Sequence, residues 1–292
     1  MTKRQATRIV VFLMALDFAC LGLARPGFAQ QSFAGFDRND YPGDALLPAL
    51  RKDFRYTSFW LNNPPGETTN SWTGKRALLR RHGFGFLVLF NGRADAQLKG
   101  RDAASLGAAD GKAAVAAAMR EGFAPHILIF LDQEEGGRLL AEQSAYLFAW
   151  IDAVRASGAR AGVYCSGIKV PDGNGTISTA EYIAAVQAER TKNSPGAQGQ
   201  PGRIPLWIAL DSCPPSPGCT LSHPGTMTLD PNEPIRIAAW QYAMSPRRAQ
   251  FSAECPRNAA PDGNCYAPGL PHNANTFVDL DTSDSPDPSE AP

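Results

Sequence analysis

Residues 126–165, HILIFLDQEEGGRLLAEQSAYLFAWIDAVRASGARAGVYC, contain the clearest structural pattern of the chain. An apolar run ends at Asp132, and Glu134 follows two residues later. Apolar side chains then recur at helical spacing over residues 137–157, and residues 161–165 are again short and apolar. This order of strand, helix and strand is typical of a βαβ unit in a parallel sheet that is buried on both faces.

The same alternation extends over most of the chain. Eight short apolar runs are predicted as strands, at residues 34–37, 56–61, 85–91, 126–132, 161–165, 206–211, 236–242 and 276–280. Five helical patterns lie between the early strands, at residues 43–52, 74–81, 103–121, 137–157 and 178–190. Pro-, Gly- and Cys-rich loops join the last three strands.

Eight strands in about 260 residues after the leader predict an α/β fold that closes as a TIM-like (β/α) barrel. This barrel has about five helices and three late strands without helices. An open doubly wound sheet is the alternative. A nucleotide-binding form of that sheet is disfavoured, because no Gly-rich fingerprint follows the first strand.

The composition excludes some partners. The 28 basic and 28 acidic side chains give zero net charge over 292 residues, and 19% of the residues are charged. Nucleic acids and acidic membranes require a basic surface, so neither is expected as a partner. We also expect no cofactor, no metal ion and a monomeric chain.

The first 29 residues have the pattern of a secretory signal peptide. Lys3, Arg4 and Arg8 precede a mostly apolar run over residues 9–23, and small residues around Ala29 offer a cleavage site. The run is short for a membrane span and contains an acid, so a retained anchor is the weaker alternative. We therefore predict a secreted or periplasmic protein with a barrel domain at residues 33–282 and a disordered tail at residues 283–292.

Export changes the interpretation of the cysteines. Cys213 and Cys219 flank one Pro-rich turn, and Cys255 and Cys265 flank another loop. In an oxidising compartment, two local disulfides are the simplest prediction, and they leave Cys165 as a buried thiol. A zinc site is the rival interpretation. It is disfavoured because the chain has neither a C-x-x-C motif nor a histidine at ligand spacing.

Acidic residues collect at the predicted strand ends, where barrels of this class carry their active sites. They are Asp37, Asp132, Glu134, Asp211, Asp279 and Asp281. Side chains alternate along a strand, so Asp132 and Glu134 share one face, whereas Glu135 has the opposite parity and is expected in the following loop or at the start of a helix. Asp211 precedes a Cys-Pro-Pro turn, and turn formation explains it without catalysis.

Crowded carboxylates favour one reaction class. Like charges and partial burial raise the pKa of one carboxyl, so an acid and a carboxylate coexist near neutral pH, as glycoside hydrolysis requires. The longer side chain makes Glu134 the candidate acid. Asp132, Asp37 and Asp279 are then the supporting carboxylates, although Asp37 and Asp279 could instead cap loops or helices.

Aromatic residues near the same strand ends suit a sugar substrate. Flat apolar faces with polar edges pack well against pyranose rings, although a tryptophan at a barrel strand end more often belongs to the core. The candidates are Tyr41, Trp60, Tyr164, Trp207, Trp240 and Tyr242.

The strand-end motifs resemble those of a known family. The motifs are Gly35-Phe36-Asp37, Leu131-Asp132-Gln133-Glu134, Gly162-Val163-Tyr164, Leu206-Trp207-Ile208-Ala209, Trp240-Gln241-Tyr242 and Val278-Asp279-Leu280. In this order they are similar to those of the glycoside hydrolase family 25 lysozymes. They are closest to the related DUF1906 (Rv2525c-like, glycoside-hydrolase-like) domains.

The resemblance implies a barrel that lacks late helices and a muramidase-type reaction on the β-1,4 bonds of peptidoglycan. It implies Glu134 as the catalytic acid and Asp132, Asp37 and Asp279 as supporting carboxylates. The third strand departs from the pattern, because it ends Asn91-Gly92-Arg93 without an aromatic cluster. A non-catalytic, envelope-associated glycan-binding barrel therefore remains the alternative function.

Overall fold

The computed structural model describes residues 32–193, 204–213, 236–243, 270 and 276–290. The predicted signal peptide lies outside these residues, as do three of the four cysteines in the predicted disulfides: Cys219, Cys255 and Cys265. Cys213 ends a described strand. The leader and the disulfides therefore stay predictions, whereas Cys165 is a buried free thiol, as expected.

The described residues form ten strands and six α-helices. The strands are β1 Phe33–Asp37, β2 Tyr56–Trp60, β3 Gly85–Asn91, β4 Leu128–Gln133, β5 Arg160–Ser166, β6 Val170–Asp172, β7 Gly175–Ile177, β8 Pro205–Cys213, β9 Arg236–Ala243 and β10 Asp279–Ser283. The helices are α1 Leu47–Asp53, α2 Arg76–Arg81, α3 Asp95–Leu98, α4 Ala103–Glu121, α5 Ala141–Ala156 and α6 Thr179–Lys192. A short 3-10 turn, Asp44–Leu46, precedes α1. The five predicted helices are present, and α3 and the β6–β7 hairpin are additions.

Eight of the strands form a closed barrel in the order β1-β10-β9-β8-β5-β4-β3-β2. The predicted α/β barrel is therefore confirmed, and the open doubly wound sheet is excluded. Seven strands run parallel, but β10 pairs antiparallel with both β1 and β9. The apolar pattern of a strand does not encode its direction, so the sequence did not predict this reversal.

Strand β10 also begins later than predicted. The run at residues 276–280 placed Asp279 at the end of the eighth strand, whereas the observed strand starts at Asp279. Because β10 is antiparallel, its first residue lies opposite Asp37, the last residue of β1. The later start of β10 and its reversed direction offset each other, so Asp279 still lies at the carboxyl end of the parallel strands.

Two glycines of α4 allow close packing against α5. A Cβ atom at Gly107 would lie 2.2 Å from the backbone oxygen of Tyr146, and one at Gly111 would lie 2.7 Å from that of Trp150. Only residues without a side chain permit this approach. The contact brings Asp110 of α4 to the hydroxyl of Tyr146, which donates a 2.8 Å hydrogen bond to it.

Residues 283–290 pack against the barrel, so the prediction of a disordered tail over residues 283–292 is wrong for these described residues. Ser289 is fully buried at the amino ends of β3 and β4. Its backbone N–H donates to Phe86 O and its carbonyl accepts from Leu128 N, both at 2.9 Å. Its hydroxyl accepts from Val88 N at 2.9 Å. The polar, Pro-rich composition suggested disorder because these backbone contacts leave no trace in an apolar pattern.

Ion pairs hold the same segment against α2. Arg76 contacts Glu290, and Arg80 contacts both Asp287 and Glu290. The segment therefore closes the barrel at the end opposite the strand ends that carry the acids. Among the described residues, no helix is long and apolar enough to cross a membrane.

Replacing Ser289 with alanine should lower the free energy of unfolding by about 1–3 kcal/mol, because the buried Val88 N–H loses its acceptor. Urea unfolding measures this change. Ser285→Ala is the matched control, since the partly exposed Ser285 accepts from Asp287 N and water can replace it. Equal losses in the two variants would contradict the buried position of Ser289.

Candidate active site

The strand ends place Asp132 inside the barrel mouth. Asp132 lies in register between Asn91 of β3 and Tyr164 of β5. Its side chain is buried, and neither carboxylate oxygen has a hydrogen-bond partner among the described residues. Burial raises the pKa of Asp132 well above its ordinary value, and the nearby Glu134, Asp37 and Glu135 raise it further. The apolar β4 thus carries into the mouth a carboxyl group that favours its protonated form.

Glu134 lies two residues further on and is exposed, beyond the end of β4. It borders a cleft of about 420 Å³ together with Asp132. The other lining residues are Pro65, Gly66, Asn91, Gly92, Arg93, Ala94, Gln97 and Glu135. The loops after β2, β3 and β4 therefore form the cleft, with a buried and an exposed carboxyl group on one of its sides.

Glu135 lies in the loop after β4, where the alternation of side chains placed it. Its Oε1 accepts from the backbone N–H of Asp95 at 2.9 Å, at the start of α3. Its Oε2 accepts from the side-chain amide of Gln133. Glu135 therefore ties the loop after β4 to the short helix after β3 and fixes the shape of the cleft.

Asp37 and Asp281 form a second pair of acids, deeper in the barrel. Asp279 lies opposite Asp37 and Asp281 opposite Gly35, so Asp37 and Asp281 are diagonal neighbours on one face. Trp207 Nε1 donates to Asp281 Oδ1 at 2.9 Å, whereas no N–H or O–H group of the described residues donates to Asp281 Oδ2. A protonated Asp281 can donate a hydrogen bond to the side chain of Asp37.

The burial of Asp281 supports that protonation. Its side chain is fully buried, and this burial raises its pKa well above the ordinary value. The negative charge of Asp37 and a hydrogen bond to Asp37 act in the same direction, and the Trp207 hydrogen bond opposes them. Asp281 is therefore the member of this pair that favours the neutral form.

A chain of hydrogen bonds crosses the barrel interior to Asp37. Tyr164 on β5 donates its hydroxyl to Gln241 Oε1 on β9 at 2.9 Å. Gln241 Nε2 then donates to Asp37 Oδ2 on β1 at 2.8 Å. Neither β5 and β9 nor β9 and β1 are neighbouring strands, so these bonds fix the amide of Gln241 and the carboxylate of Asp37 across the mouth.

Asp279 completes the acidic set predicted from the sequence. It is partly buried at the start of β10, opposite Asp37. It lies close enough to Tyr164 to contribute to the raised pKa of that phenol, whose main cause is burial. The structure thus brings Asp37, Asp132 and Asp279 around Tyr164, with Glu134 at the rim.

Most of the aromatic residues predicted to bind sugar are buried instead. Trp60, Trp207, Trp240 and Tyr242 are each at most 9% exposed. The indole N–H of Trp60 donates to Arg38 O, and that of Trp240 donates to Leu210 O. Their faces pack in the core, as tryptophans at barrel strand ends often do, so they support the mouth rather than line it.

Tyr41 and Tyr164 are only partly buried. Tyr41 packs edge-on against Trp72 at 5.3 Å, and the Lys75 ammonium lies 4.9 Å from its ring centre. This places Tyr41 in the packing of the loops after β1 and β2. Tyr164 is the aromatic candidate that lies among the acids.

The sequence interpretation assigned no role to three polar residues of the mouth: Asp281, Gln241 and Arg93. Asp281 was counted among the acids at the strand ends, and Gln241 lies inside a strand-end motif, so the alternation of strand residues could have assigned both to the interior. Arg93 depends on an ion pair with Asp110 of α4, which no local pattern indicates. Among the described residues, no group of three or more His, Cys, Asp or Glu side chains could hold a metal ion.

Comparison with known proteins gives a family and a fold. A sequence model of the family described as "Rv2525c-like, glycoside hydrolase-like domain" matches residues 55–207, more than half of the chain. No protein of curated function matches significantly. An uncharacterized protein from B. stearothermophilus is 18% identical with a TM-score of 0.54, over 85% of this chain and 94% of its own. That likeness shows a common fold.

Two further solved structures are less similar. The Tat-secreted protein Rv2525c of Mycobacterium tuberculosis, in complex with L-tartrate, is 11% identical with a TM-score of 0.49, over 89% of this chain and 98% of its own. A family GH25 lysozyme from Aspergillus fumigatus is 12% identical with a TM-score of 0.43, over 87% of this chain and 94% of its own.

Replacing Asp281 with asparagine should raise the free energy of unfolding, relative to wild type, as the pH increases from 4 to 8. The pKa of Asp281 is raised in the folded protein above the unfolded value of about 3.9. As the pH rises above that value, the unfolded chain loses this proton while the folded chain keeps it, so wild-type folding becomes less favourable. Asparagine keeps the hydrogen bonds to Trp207 and Asp37 but does not titrate.

Urea unfolding at several pH values measures this difference. The groups that face Asp281 are Asp37, Asp279, Tyr56, Tyr242 and Trp207, and all of them are retained in the variant. Asp281→Ala is the control, because it removes the acceptor of Trp207 and should lose stability at every pH. If the free energy of unfolding of the Asp281→Asn variant, relative to wild type, does not rise with pH, Asp281 is ionised in the folded protein and the assignment is wrong.

Proposed function

Because the chain belongs to the family of Rv2525c-like, glycoside hydrolase-like domains, we propose that it is a secreted glycoside hydrolase. Its substrate is peptidoglycan or a related cell-wall glycan, in which it hydrolyses β-1,4 glycosidic bonds. One observation carries the proposal: Asp132 is buried, with no hydrogen-bond partner in the part of the chain that the structure describes, beside the exposed Glu134 at the edge of a cleft of about 420 Å³. A cleft of this size suits a small segment of a glycan.

The two acids suggest how a proton reaches the substrate. The negative charge of Glu134 raises the pKa of Asp132, so repulsion between the two carboxylates makes the loss of the last proton unfavourable. We assign one shared proton to the pair near neutral pH. Glu134 delivers this proton to the glycosidic oxygen because it is the member that reaches the open cleft.

The remaining carboxylates support the reaction. As the bond between the glycosidic oxygen and the anomeric carbon breaks, positive charge develops on the sugar, and the carboxylates of Asp37 and Asp279 stabilise it. Gln241 and Tyr164 hold Asp37 in place for this role. Water then gives its hydroxyl to the anomeric carbon and returns a proton to the carboxylate pair.

Replacing Glu134 with glutamine should reduce the release of reducing ends from purified peptidoglycan by about 10²- to 10⁴-fold, because an amide cannot donate the acid proton. A reducing-sugar assay, with products identified by mass, measures this release. Glu142→Gln, in the first turn of α5 and outside the cleft, is the control and should keep wild-type activity.

Retained activity in a folded Glu134→Gln variant would refute the assignment of the acid. No release by the wild-type protein, combined with saturable binding of the glycan, would instead identify the non-catalytic, envelope-associated barrel. The polar lining of the cleft and the burial of four aromatic candidates make that second outcome worth measuring.

Secretion rests on the basic and apolar pattern of residues 1–29. We expect the exported protein to begin near Gln30 when it is expressed with its natural N-terminus in a bacterium. N-terminal sequencing of the protein recovered outside the cytoplasm tests this cleavage. Recovery of the full-length chain in the membrane fraction would identify a retained anchor.

A further inference from the structure

We propose that Arg93 binds a carboxylate carried by the glycan, so that the substrate of the cleft is an acidic glycan. This inference rests on the proposed function, because it names the substrate class of the same cleft. It gives a recognition role to the loop after β3, which carries Arg93 and Gln97 into the cleft.

The guanidinium of Arg93 is held in a fixed orientation. Its Nε donates to Asp110 Oδ2 at 2.6 Å, and its Nη2 donates to Asp110 Oδ1 at 3.0 Å. Asp110 is itself positioned by the hydroxyl of Tyr146 at 2.8 Å. The close packing of α4 on α5 supports this arrangement, so little side-chain freedom is lost when a ligand binds.

The opposite edge of the same guanidinium is available to a ligand. Arg93 lines the cleft, and 31% of its side chain is exposed. Nη1 makes no hydrogen bond to the residues that the structure describes and is not among the buried atoms that lack a partner. An arginine has five N–H donors, and Asp110 uses one edge of the fork. The other edge has the geometry that binds a carboxylate.

A second donor lies beside Arg93. Gln97 also lines the cleft, and its Oε1 is occupied by the backbone N–H of Ala94 at 2.9 Å. This bond fixes the side-chain amide of Gln97 and leaves its Nε2 group to donate a hydrogen bond to a ligand. The wall of the cleft after β3 therefore presents N–H donors, whereas the wall after β4 presents acids.

Charge separates the two walls. Among the described lining residues, Arg93 is the one cation, against Asp132, Glu134 and Glu135. Arg93 does not serve to neutralise these acids. Its raised pKa comes first from the hydrogen bond to Asp110, and the groups that shift the pKa of Asp132 do not include Arg93. An anionic substituent is therefore stabilised at the Arg93 end of the cleft and repelled at the acidic end, which sets the direction of the glycan.

The carboxylate could belong to a uronic acid or to the lactyl group of a muramic acid. Three probes separate these sources: an N-acetylglucosamine–N-acetylmuramic acid tetrasaccharide with free lactyl carboxylates, the same tetrasaccharide with the carboxylates reduced to alcohols, and a uronic-acid tetrasaccharide. Titration calorimetry of the Glu134→Gln protein measures binding without turnover. Binding is expected to be tighter for an anionic probe than for the reduced tetrasaccharide.

Adding Arg93→Gln should weaken binding of the anionic probe about 10- to 100-fold, as expected for a charge-assisted hydrogen bond, and leave binding of the reduced tetrasaccharide unchanged. The double change Arg93→Gln and Asp110→Asn avoids an unpaired Asp110 and should give the same selectivity. Arg101→Gln, an exposed arginine outside the cleft, is the control and should not alter binding of any probe.

The anionic probe that binds more tightly identifies the source of the carboxylate. Three results would overturn the inference. Charged and reduced probes could bind equally, both could lose the same affinity in the Arg93 variants, or neither anionic probe could bind. These results are distinguishable from failure of the hydrolase. If the wild-type protein cleaves the glycan but the Glu134→Gln protein binds charged and reduced probes equally, the role of Arg93 alone is refuted. If the Glu134→Gln protein prefers an anionic probe but the wild-type protein cleaves no glycan, the hydrolase alone is refuted.

Discussion

Strand β10 closes the barrel by pairing antiparallel with both β1 and β9. This closure is the constraint on which the candidate site depends, because it brings acids from the two ends of the chain onto one face. Asp279 meets Asp37 at the mouth, and Asp281 lies diagonally below. Without β10, Asp37 would lie on an open edge in water, and the hydrogen bond from Trp207 to Asp281 could not form. The burial that raises the pKa of Asp281 is thus a consequence of the closed sheet.

Burial determines how the acids divide their roles. Asp132 and Asp281 are both buried, and both favour the protonated form because desolvation disfavours a charged carboxylate. Each is adjacent to an acid with a different environment: Glu134 is exposed at the rim, and Asp37 accepts a hydrogen bond from Gln241. In each pair, one carboxyl group favours the protonated form, and its neighbour is more exposed or accepts more hydrogen bonds. Each pair can therefore provide both a proton and a negative charge. Glycoside hydrolysis requires both at neighbouring positions.

The periodicity of the sequence was sufficient to predict the barrel, its five main helices and the residues at the strand ends, because apolar strands and helical stripes are local patterns. It was not sufficient for features that depend on partners distant in sequence. The direction of β10 follows from its pairing with β1, and the order of residues 283–290 follows from backbone contacts of Ser289 with Phe86 and Leu128. Arg93, in the loop after β3, acquires its orientation from Asp110, 17 residues further along the chain on α4. The aromatic candidates lie on or near the predicted strands, but the sequence does not reveal which way the ring of a tryptophan on a strand faces.

We propose that the wall after β4 performs the chemistry while the wall after β3 binds the substrate. A crystal structure of the Glu134→Gln protein with an N-acetylglucosamine–N-acetylmuramic acid tetrasaccharide tests both roles at once. We expect a glycosidic oxygen within hydrogen-bond distance of the side chain at position 134 and a sugar carboxylate on the outer edge of the Arg93 guanidinium. A glycan bound outside this cleft, or bound with no glycosidic oxygen near position 134, would contradict this proposal.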